Sequence, residues 1–419
     1  MQMKLKYGAG YLPLQLPDAL AIDVFEPRSA PVLADPVAAL NAALDSPFGC
    51  MPLEGRDTPA SVAIAIPDET RPFPVKVLLP ALLDRLFTAY PALSGDDICI
   101  VVGGGLHPPA DDAQLTRILP HDLRGCRVVA HDAEHSPVTD FGRTSRGTPV
   151  EINSAFATAD LKIVMGLVDA HQFVGFTGGA KGVTIGCASA RMIAANHKML
   201  RDSAAVVGNV IDNPVRLDLN EAGELAGVSL AINVVLDAAK KVVALLCGIP
   251  SVVMREASVL TADLYGMPYT QPYDIVIASC GGLPKDICLY QAQKGLTTAT
   301  QCAAPGAKII LLAKCEQGIG DEVYQNYVRR FKDDKSLKAA FEQGDFAMGA
   351  HKAYLFARIT TRFTVVIHSD LSSETLAQCL LTGGELQETV DAWLKELSSP
   401  RIAVIQNANS SFFKKASAI

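Results

Sequence analysis

Short runs rich in valine and isoleucine alternate with helix-length stretches along most of this chain, and that alternation narrows the available folds more than any other feature. Strands are expected over residues 62–66, 98–102, 161–165, 230–236, 241–246, 274–279, 308–312, 362–367 and 402–405. Helices are expected over 75–89, 111–118, 188–201, 213–226, 290–303, 321–331, 336–343, 349–359, 373–380 and 384–397. Apolar runs of strand length, with little polar alternation, fit strands buried on both faces, as in parallel sheets covered by helices. The expected class is α/β, in two domains with largely parallel sheets. The turn-rich stretch Tyr265-Gly266-Met267-Pro268-Tyr269-Thr270-Gln271-Pro272 follows a helical segment and marks a boundary. The domains are read as residues 1–268 and 269–419. In the second, strand and helix alternate regularly, as in a doubly wound, Rossmann-like domain. The cleft between the domains is the expected place for an active site.

Composition excludes several classes. Of 419 residues, 49% are hydrophobic and 19% charged, enough apolar material for a sizeable core, so global disorder is ruled out. A net charge of −7 argues against nucleic acid as the main partner, since such proteins concentrate Lys and Arg. No run reaches the roughly 18 apolar residues of a transmembrane helix. The first eight residues are followed by no apolar leader segment, so neither membrane nor secretion is expected. Ten cysteines, at 50, 99, 126, 187, 247, 280, 288, 302, 315 and 379, form no C-x-x-C pair. They read as buried free thiols of a cytoplasmic protein rather than as disulfides or a zinc site.

Two stretches that follow predicted strands carry candidate chemistry. The first is Ile66-Pro67-Asp68-Glu69-Thr70-Arg71-Pro72, where Asp68 and Arg71 are able to present a carboxylate and a guanidinium to one ligand. The same residues also fit a helix N-cap with a surface ion pair. The second is Gly103-Gly104-Gly105-Leu106-His107-Pro108-Pro109. Three glycines allow close backbone approach to a ligand. The stretch is not G-x-G-x-x-G, because Pro108 stands at the last glycine position. His107 falls at the C-terminal end of a strand, where α/β proteins place their chemistry; a tight turn with a surface histidine is the other reading.

The third stretch is the richest. It runs from His171-Gln172-Phe173-Val174-Gly175-Phe176-Thr177-Gly178-Gly179-Ala180-Lys181-Gly182 to Asn196-His197-Lys198-Met199. Its glycines free backbone N–H groups for a phosphate, and Lys181 adds a point charge. Ala180 and Gly182 break a Walker A pattern. Lysine is also a nucleophile, so covalent attachment is open. His197 alone is weak evidence for a metal; most donors would have to come from elsewhere, such as a cofactor. The fourth stretch, Tyr290-Gln291-Ala292-Gln293-Lys294-Gly295, opens a helix after Gly281-Gly282-Leu283-Pro284-Lys285-Asp286. Gln291 and Lys294 share a face at its N-terminus, where dipole, amide and ammonium together favour an anion. An amphipathic surface helix start is the alternative.

These four stretches, in this order, resemble the nickel-dependent lactate racemase family, whose members bind a nickel-pincer nucleotide derived from nicotinic acid. The likeness covers most of the chain, from Leu5-Lys6-Tyr7-Gly8 onward, and the spacing of His171, Lys181 and His197 is its sharpest part. It implies a racemase or epimerase that inverts C2 of a 2-hydroxy acid, lactate or a related acid, by proton-coupled hydride transfer. It implies a cofactor, pyridinium-3-thioamide-5-thiocarboxylate mononucleotide with Ni(II), bound covalently at Lys181. His197 would be the protein's nickel ligand, completing a square plane that suits Ni(II). His107 and His171 would be acid/base residues on opposite sides of the substrate carbon. Asp68, Glu69, Thr70 and Arg71, with Gly178 and Gly179, would contact the cofactor. Arg71 would also face the substrate, with Gln291 and Lys294 holding its carboxylate and Tyr290 beside them. Cofactor-biosynthesis proteins of the host are implied as partners.

The chain departs from the family in two places. Ile185-Gly186 stands where a Pro-Gly pair is usual, and Phe176-Thr177 replaces a more usual Tyr-Ser. Neither removes a donor; they bear on which acid is the substrate. Two other functions compete. A nicotinamide-dependent 2-hydroxy acid dehydrogenase would share hydride chemistry, but the chain lacks G-x-G-x-x-G with its following acidic residue. A non-catalytic nickel- or nucleotide-binding protein would bind but not invert its ligand.

Overall fold

The computed structural model describes residues 1–344 and 349–415. The chain forms two compact units, residues Ser29–Leu264 and residues Met1–Arg28 with Tyr265–Ile419. Each is built on a mostly or wholly parallel sheet, the α/β class expected from the sequence.

The sheet of the Ser29–Leu264 unit has six strands. In spatial order they are Val242–Gly248, Leu230–Leu236, Leu161–Leu167, Val62–Pro67, Ile98–Gly103 and Arg127–Ala130. All pair in parallel except Val242–Gly248, which returns antiparallel as an edge hairpin. This is the doubly wound order of dinucleotide-binding folds, with its reversal between Val62–Pro67 and Leu161–Leu167. Sequence reading assigned double winding to the C-terminal part alone; both units have it. The helix Val75–Ala89 places Val75, Leu78, Leu79, Leu82, Leu83 and Leu86 on one stripe, buried against Ile64, Ile66 and Ile100.

The other unit has a wholly parallel five-stranded sheet, ordered Thr364–His368, Ala303–Leu312, Tyr273–Ser279, Arg401–Ile405 and Ala21–Phe25. Its direction reverses between Tyr273–Ser279 and Arg401–Ile405. Successive residues of Tyr273–Ser279 enter opposite cores: Val276 and Ala278 on one face, Ile275 and Ile277 on the other. The expectation that residues 1–28 belong with the N-terminal domain differs from this arrangement. Ala21–Phe25 is the edge strand beside Arg401–Ile405, and the hairpin Gln2–Tyr7/Gly10–Gln15 puts Leu5 and Leu14 into the core over Ile277 and Ile310. That pairing joins sequence-distant ends, which local pattern does not report.

Most expected strands and helices are present with ends shifted by a few residues. Helices Pro36–Asp45 and Pro250–Tyr265 are additional; the first starts with Asp35 capping two amides and Pro36 in its first turn. All ten cysteines are free thiols, nine of them buried. Among the described residues no helix is long and apolar enough to cross a membrane.

Leu14→Ala tests the placement of the N-terminal hairpin. Leu14 is fully buried, so the substitution should cost about 2–5 kcal/mol in denaturant melts. A loss below about 0.5 kcal/mol, the scale of a surface change, would contradict the placement.

Candidate active site

Three adjacent parallel strands deliver three of the singled-out stretches to one end of the sheet. Asp68–Arg71 leave the carboxyl end of Val62–Pro67, His107 that of Ile98–Gly103, and His171 that of Leu161–Leu167. Open α/β sheets bind ligands at the carboxyl ends of strands beside the reversal of strand order, and these loops surround that point.

The loops are tied to one another. His107 Nδ1 lies 2.7 Å from Asp68 Oδ2. Asp68 Oδ1 accepts the Thr70 amide at 3.2 Å and the Thr70 hydroxyl at 2.6 Å. Asp68 is therefore no helix cap, since the next helix starts at Val75; it closes a short turn and tethers His107. Burial works to raise the Asp68 pKa, but the hydrogen bonds from His107 and Thr70 and the charges of His107 and Arg71 outweigh it and hold the carboxyl below its ordinary value. With Nδ1 donating to a carboxylate, His107 keeps Nε2 as its acceptor. Glu69 faces the helix Asp112–Ile118, accepting from Gln114 at 2.7 Å and Arg117 at 2.9 Å. Arg71 is exposed and makes no ion pair among the described residues.

The glycine turn after Ile98–Gly103 seats on the loop that carries Lys181. Gly105 donates its amide to the Gly186 carbonyl at 3.0 Å, and Gly186 donates to the Lys181 carbonyl at 3.2 Å. A Cβ on Gly186 would sit 2.1 Å from the Gly182 oxygen, and one on Gly103 would sit 2.9 Å from Gly186. No side chain fits at either position. Gly178 and Gly179, both at positive φ, shape the turn that precedes the short helix Lys181–Thr184. Asn233 Oδ1 accepts the Gly179 amide at 2.7 Å, and the buried Arg216 guanidinium donates to the carbonyls of Phe176 and Gly178. Burial lowers the Arg216 pKa to about 9.

The two histidines of the third stretch share an aromatic neighbour. Phe173 meets His171 edge to face at 4.7 Å between centroids and His197 at 5.0 Å. His171 lies in a two-residue strand paired with Gly175–Phe176, and its Nδ1 accepts the Val174 amide at 3.3 Å. His197 ends the helix Ala190–His197, which continues as a 3₁₀ turn rather than the single helix expected over 188–201. Its side chain is buried. Burial, assisted by the Lys181 charge, pushes its pKa down to about 3, so the imidazole is neutral. Neutral imidazole is the metal-binding form. The preceding Asn196, also buried, donates to Asp218 Oδ2 at 2.8 Å, and Thr144 donates to Oδ1 at 2.6 Å, fixing the end of this helix. Among the described residues no group of three or more His, Cys, Asp or Glu could hold a metal ion. A metal at His197 would draw its other donors from a bound group, and Lys181, whose charge acts on the His197 imidazole, is the amine beside it to which such a group could attach. The residues present fit such a cofactor.

The fourth stretch lies in the other unit, on the helix Leu289–Ala299 that follows Tyr273–Ser279. Tyr290 and Lys294 are partly buried on one face of that helix, and Gln291 is partly buried beside them. The expected anion site at the helix N-terminus is weaker than the sequence suggested. The Leu289 and Tyr290 amides already donate to the carbonyls of Gly318 and Ile319 at 3.1 and 3.0 Å. An anion there would rely on side chains.

Sequence reading missed Asn233, Arg216, Asn196 and Asp218. Two carried a usable signal: Asn233 interrupts an apolar strand, and Arg216 shares the buried stripe of helix Pro214–Leu225 with Val215 and Leu219.

The His197 shift has a measurable consequence. The unfolded imidazole takes up a proton below about pH 6.5, the folded one only near pH 3. The resulting stability is complete above pH 6.5 and declines as pH falls toward 3, by up to about 1.4 kcal/mol per pH unit. Denaturant melts of wild type and His197→Gln at pH 7 and pH 5 should show the wild type losing more on acidification; equal losses would disprove the shift.

Comparison with known proteins supplies the family. Residues 7–208 match the lactate racemase N-terminal domain and residues 269–410 the lactate racemase C-terminal domain. The lactate racemase of Lactiplantibacillus plantarum is 30% identical over 385 residues, covering 86% of this chain and 87% of that one. The lactate racemase of Thermoanaerobacterium thermosaccharolyticum is 27% identical over 378 residues, 88% of each chain. The solved lactate racemase apoprotein from T. thermosaccharolyticum superposes with a TM-score of 0.90 at 24% identity, over 99% of this chain and 100% of that one, and shares the fold. A Thermotoga maritima structure matches at TM-score 0.66 and 16% identity, over 91% of this chain and 97% of the other. With both domains matched and a relative at 30% identity spanning most of its length, the chain belongs to the lactate racemase family.

Proposed function

We propose that this protein is a cytoplasmic racemase or epimerase that inverts C2 of a 2-hydroxy acid with a nickel-pincer nucleotide held at Lys181 and His197. The observation that supports it best is the gathering of the Asp68, His107 and His171 loops at one sheet end, with the Lys181 turn docked onto the His107 loop and a buried, neutral His197 nearby in the fold. Family membership favours a racemase. The dehydrogenase alternative loses ground, because the first strand-to-helix turn of the doubly wound sheet reads Pro67-Asp68-Glu69-Thr70-Arg71-Pro72, with none of the glycines a dinucleotide pyrophosphate requires.

When bound, the cofactor would supply the hydride acceptor and donor at C2. The chain's own residues do the rest. Lys181 would form the covalent link, and His197 would offer its neutral imidazole to nickel. Gly178 and Gly179, with Thr70 and Arg71, would contact the cofactor. Glu69, assigned to the cofactor from the resemblance, is better explained as a brace to Gln114 and Arg117. His107 would exchange the hydroxyl proton through Nε2, because its Nδ1 is held by Asp68; His171, whose Nδ1 accepts the Val174 amide, would serve the other enantiomer once that nitrogen is released from the amide. Asp68 would hold the His107 ring in that orientation and stabilise its imidazolium. Inversion needs a proton acceptor for each enantiomer, hence two histidines. Arg71, Tyr290, Gln291 and Lys294 would bind the substrate, the last two at its carboxylate. Loading would depend on cofactor-biosynthesis proteins of the host.

Protein made with that machinery should abolish the optical rotation of one pure 2-hydroxy acid enantiomer. Mass spectrometry should find the adduct on the peptide containing Lys181, and an active enzyme with its adduct elsewhere would refute that role. His107→Ala and His171→Ala should each slow racemisation by about 10²–10⁴-fold while nickel content stays at wild-type level. His197→Ala should lose nickel in a folded protein. His107→Ala with near wild-type activity would rule out the two-histidine scheme.

A further inference from the structure

The helix Pro214–Leu225 touches the stretch from His171 to His197 along most of its length. At its start, Asn213 accepts the Val215 and Arg216 amides at 3.1 and 3.3 Å and donates to the Phe173 carbonyl at 3.0 Å. Phe173 is the ring that meets both His171 and His197. Asp218 and the Val215 carbonyl take the Asn196 side chain at 2.8 and 3.2 Å, one residue before His197. Gly223 lies so close to Ala180 that a Cβ on it would clash with the Ala180 Cβ. Arg216 falls between these contacts and is fully buried. Its guanidinium donates to the Phe176 carbonyl and, at 3.4 Å, to the Gly178 carbonyl. The same Gly178 oxygen accepts the Lys181 amide at 3.4 Å. One carbonyl oxygen therefore links the buried cation to the backbone of Lys181. Arg216 makes no ion pair among the described residues, and a buried guanidinium is costly unless its hydrogen bonds recover the lost hydration. Its rigid fork of donors reaches two carbonyls of one turn at once, which no apolar side chain does.

We propose that Arg216 is the positioning residue for Lys181: through the Phe176 and Gly178 carbonyls it fixes the glycine turn, so that helix Pro214–Leu225 sets the backbone of Lys181 relative to His197. The use of Lys181 and His197 by a cofactor rests on the function proposed above; the clamp on the turn does not. Gly178 and Gly179 stand at φ of 84° and 58°, and glycine backbone has many other conformations open to it. The guanidinium removes those others from one side, and Asn233 holds the Gly179 amide from another at 2.7 Å. Because the same helix also holds Asn196, an amine and an imidazole from two ends of one segment share a rigid reference. Groups that must meet one ligand gain most from such fixed placement. Arg216 itself touches neither substrate nor cofactor in this role.

Amide hydrogen exchange on the full-length apoprotein, with intact-mass and nickel measurements on protein made alongside the cofactor-biosynthesis proteins, tests this. Arg216→Met should speed exchange across residues 176–182 at least about ten-fold, the scale of one lost hydrogen bond from a charged donor, while strand Leu161–Leu167 keeps its wild-type rates. The fraction of protein with an adduct at Lys181, and its nickel, should fall several-fold. Arg216→Lys, which keeps a cationic donor, should recover part of both. Leu219→Ala truncates a fully buried side chain of the same helix and leaves the turn's donors in place. It should lower the melting temperature yet load like wild type, which separates positioning from stability. A folded Arg216→Met with wild-type exchange at 176–182, or with wild-type adduct occupancy, would overturn the positioning role. If thermal melts show that Arg216→Met does not fold, Arg216→Lys and Gly223→Ala carry the test, and unchanged exchange and loading in both would overturn it equally. Faster exchange in Arg216→Met, together with wild-type protein that carries its adduct on another lysine, would support the clamp and remove Lys181 from the proposed function.

Discussion

The amide of Gly105 on the carbonyl of Gly186 is the contact on which the candidate site depends. It joins the His107 loop to the turn that closes the Lys181–Thr184 helix, and it forms only because neither Gly103 nor Gly186 carries a side chain. The space is too small for a methyl group, so the backbones meet directly. The pair usual in the family at this point is Pro-Gly; this chain keeps the glycine and places Ile185 before it, retaining the half that the close approach requires. Asp68 extends the same chain of contacts to His107. Nucleophile candidate, acid/base candidate and carboxylate are thereby positioned by backbone geometry and short polar contacts rather than by long flexible side chains.

Charge is handled differently around His197. Its imidazole is buried where ionisation is unfavourable, and the nearby Lys181 cation makes ionisation more so. The groups that hold its helix are polar and meet one another: Asn196 and Thr144 share the Asp218 carboxylate. Arg216 is the exception, a buried guanidinium spent on two carbonyl oxygens of the glycine turn. Such a cation is tolerable because the carbonyl dipoles it meets are themselves fixed by the turn. The polar interior of this unit thus serves the two ends of one segment, the turn before Lys181 and the helix that ends at His197.

In the second unit the buried Lys352 amine meets the Gln293 amide oxygen, and burial, then the Lys294 charge, hold its pKa well below the ordinary lysine range. The aromatic and amide groups on helix Leu289–Ala299 shape that place, while the amides at the start of the helix are consumed by Gly318 and Ile319.

The α/β class, the course of most strands and helices, and the positions of Asp68, His107, His171, Lys181 and His197 relative to strand ends were legible in the sequence. Each depends on local pattern: apolar run length, helical spacing, glycine and proline punctuation. Resemblance added the roles. The sequence alone did not reveal that residues 1–28 join the C-terminal unit, since strand Ala21–Phe25 pairs with Arg401–Ile405 at the far end of the chain. Nor did it reveal that Asp68 serves His107, that Glu69 turns to Arg117, or that Lys352 is buried beside Lys294. Those are matters of which side chains meet across separate elements, and local periodicity carries no information about such meetings. Only the tertiary packing, by excluding water from some charges and supplying partners to others, decided which polar residues brace the fold and which remain for chemistry.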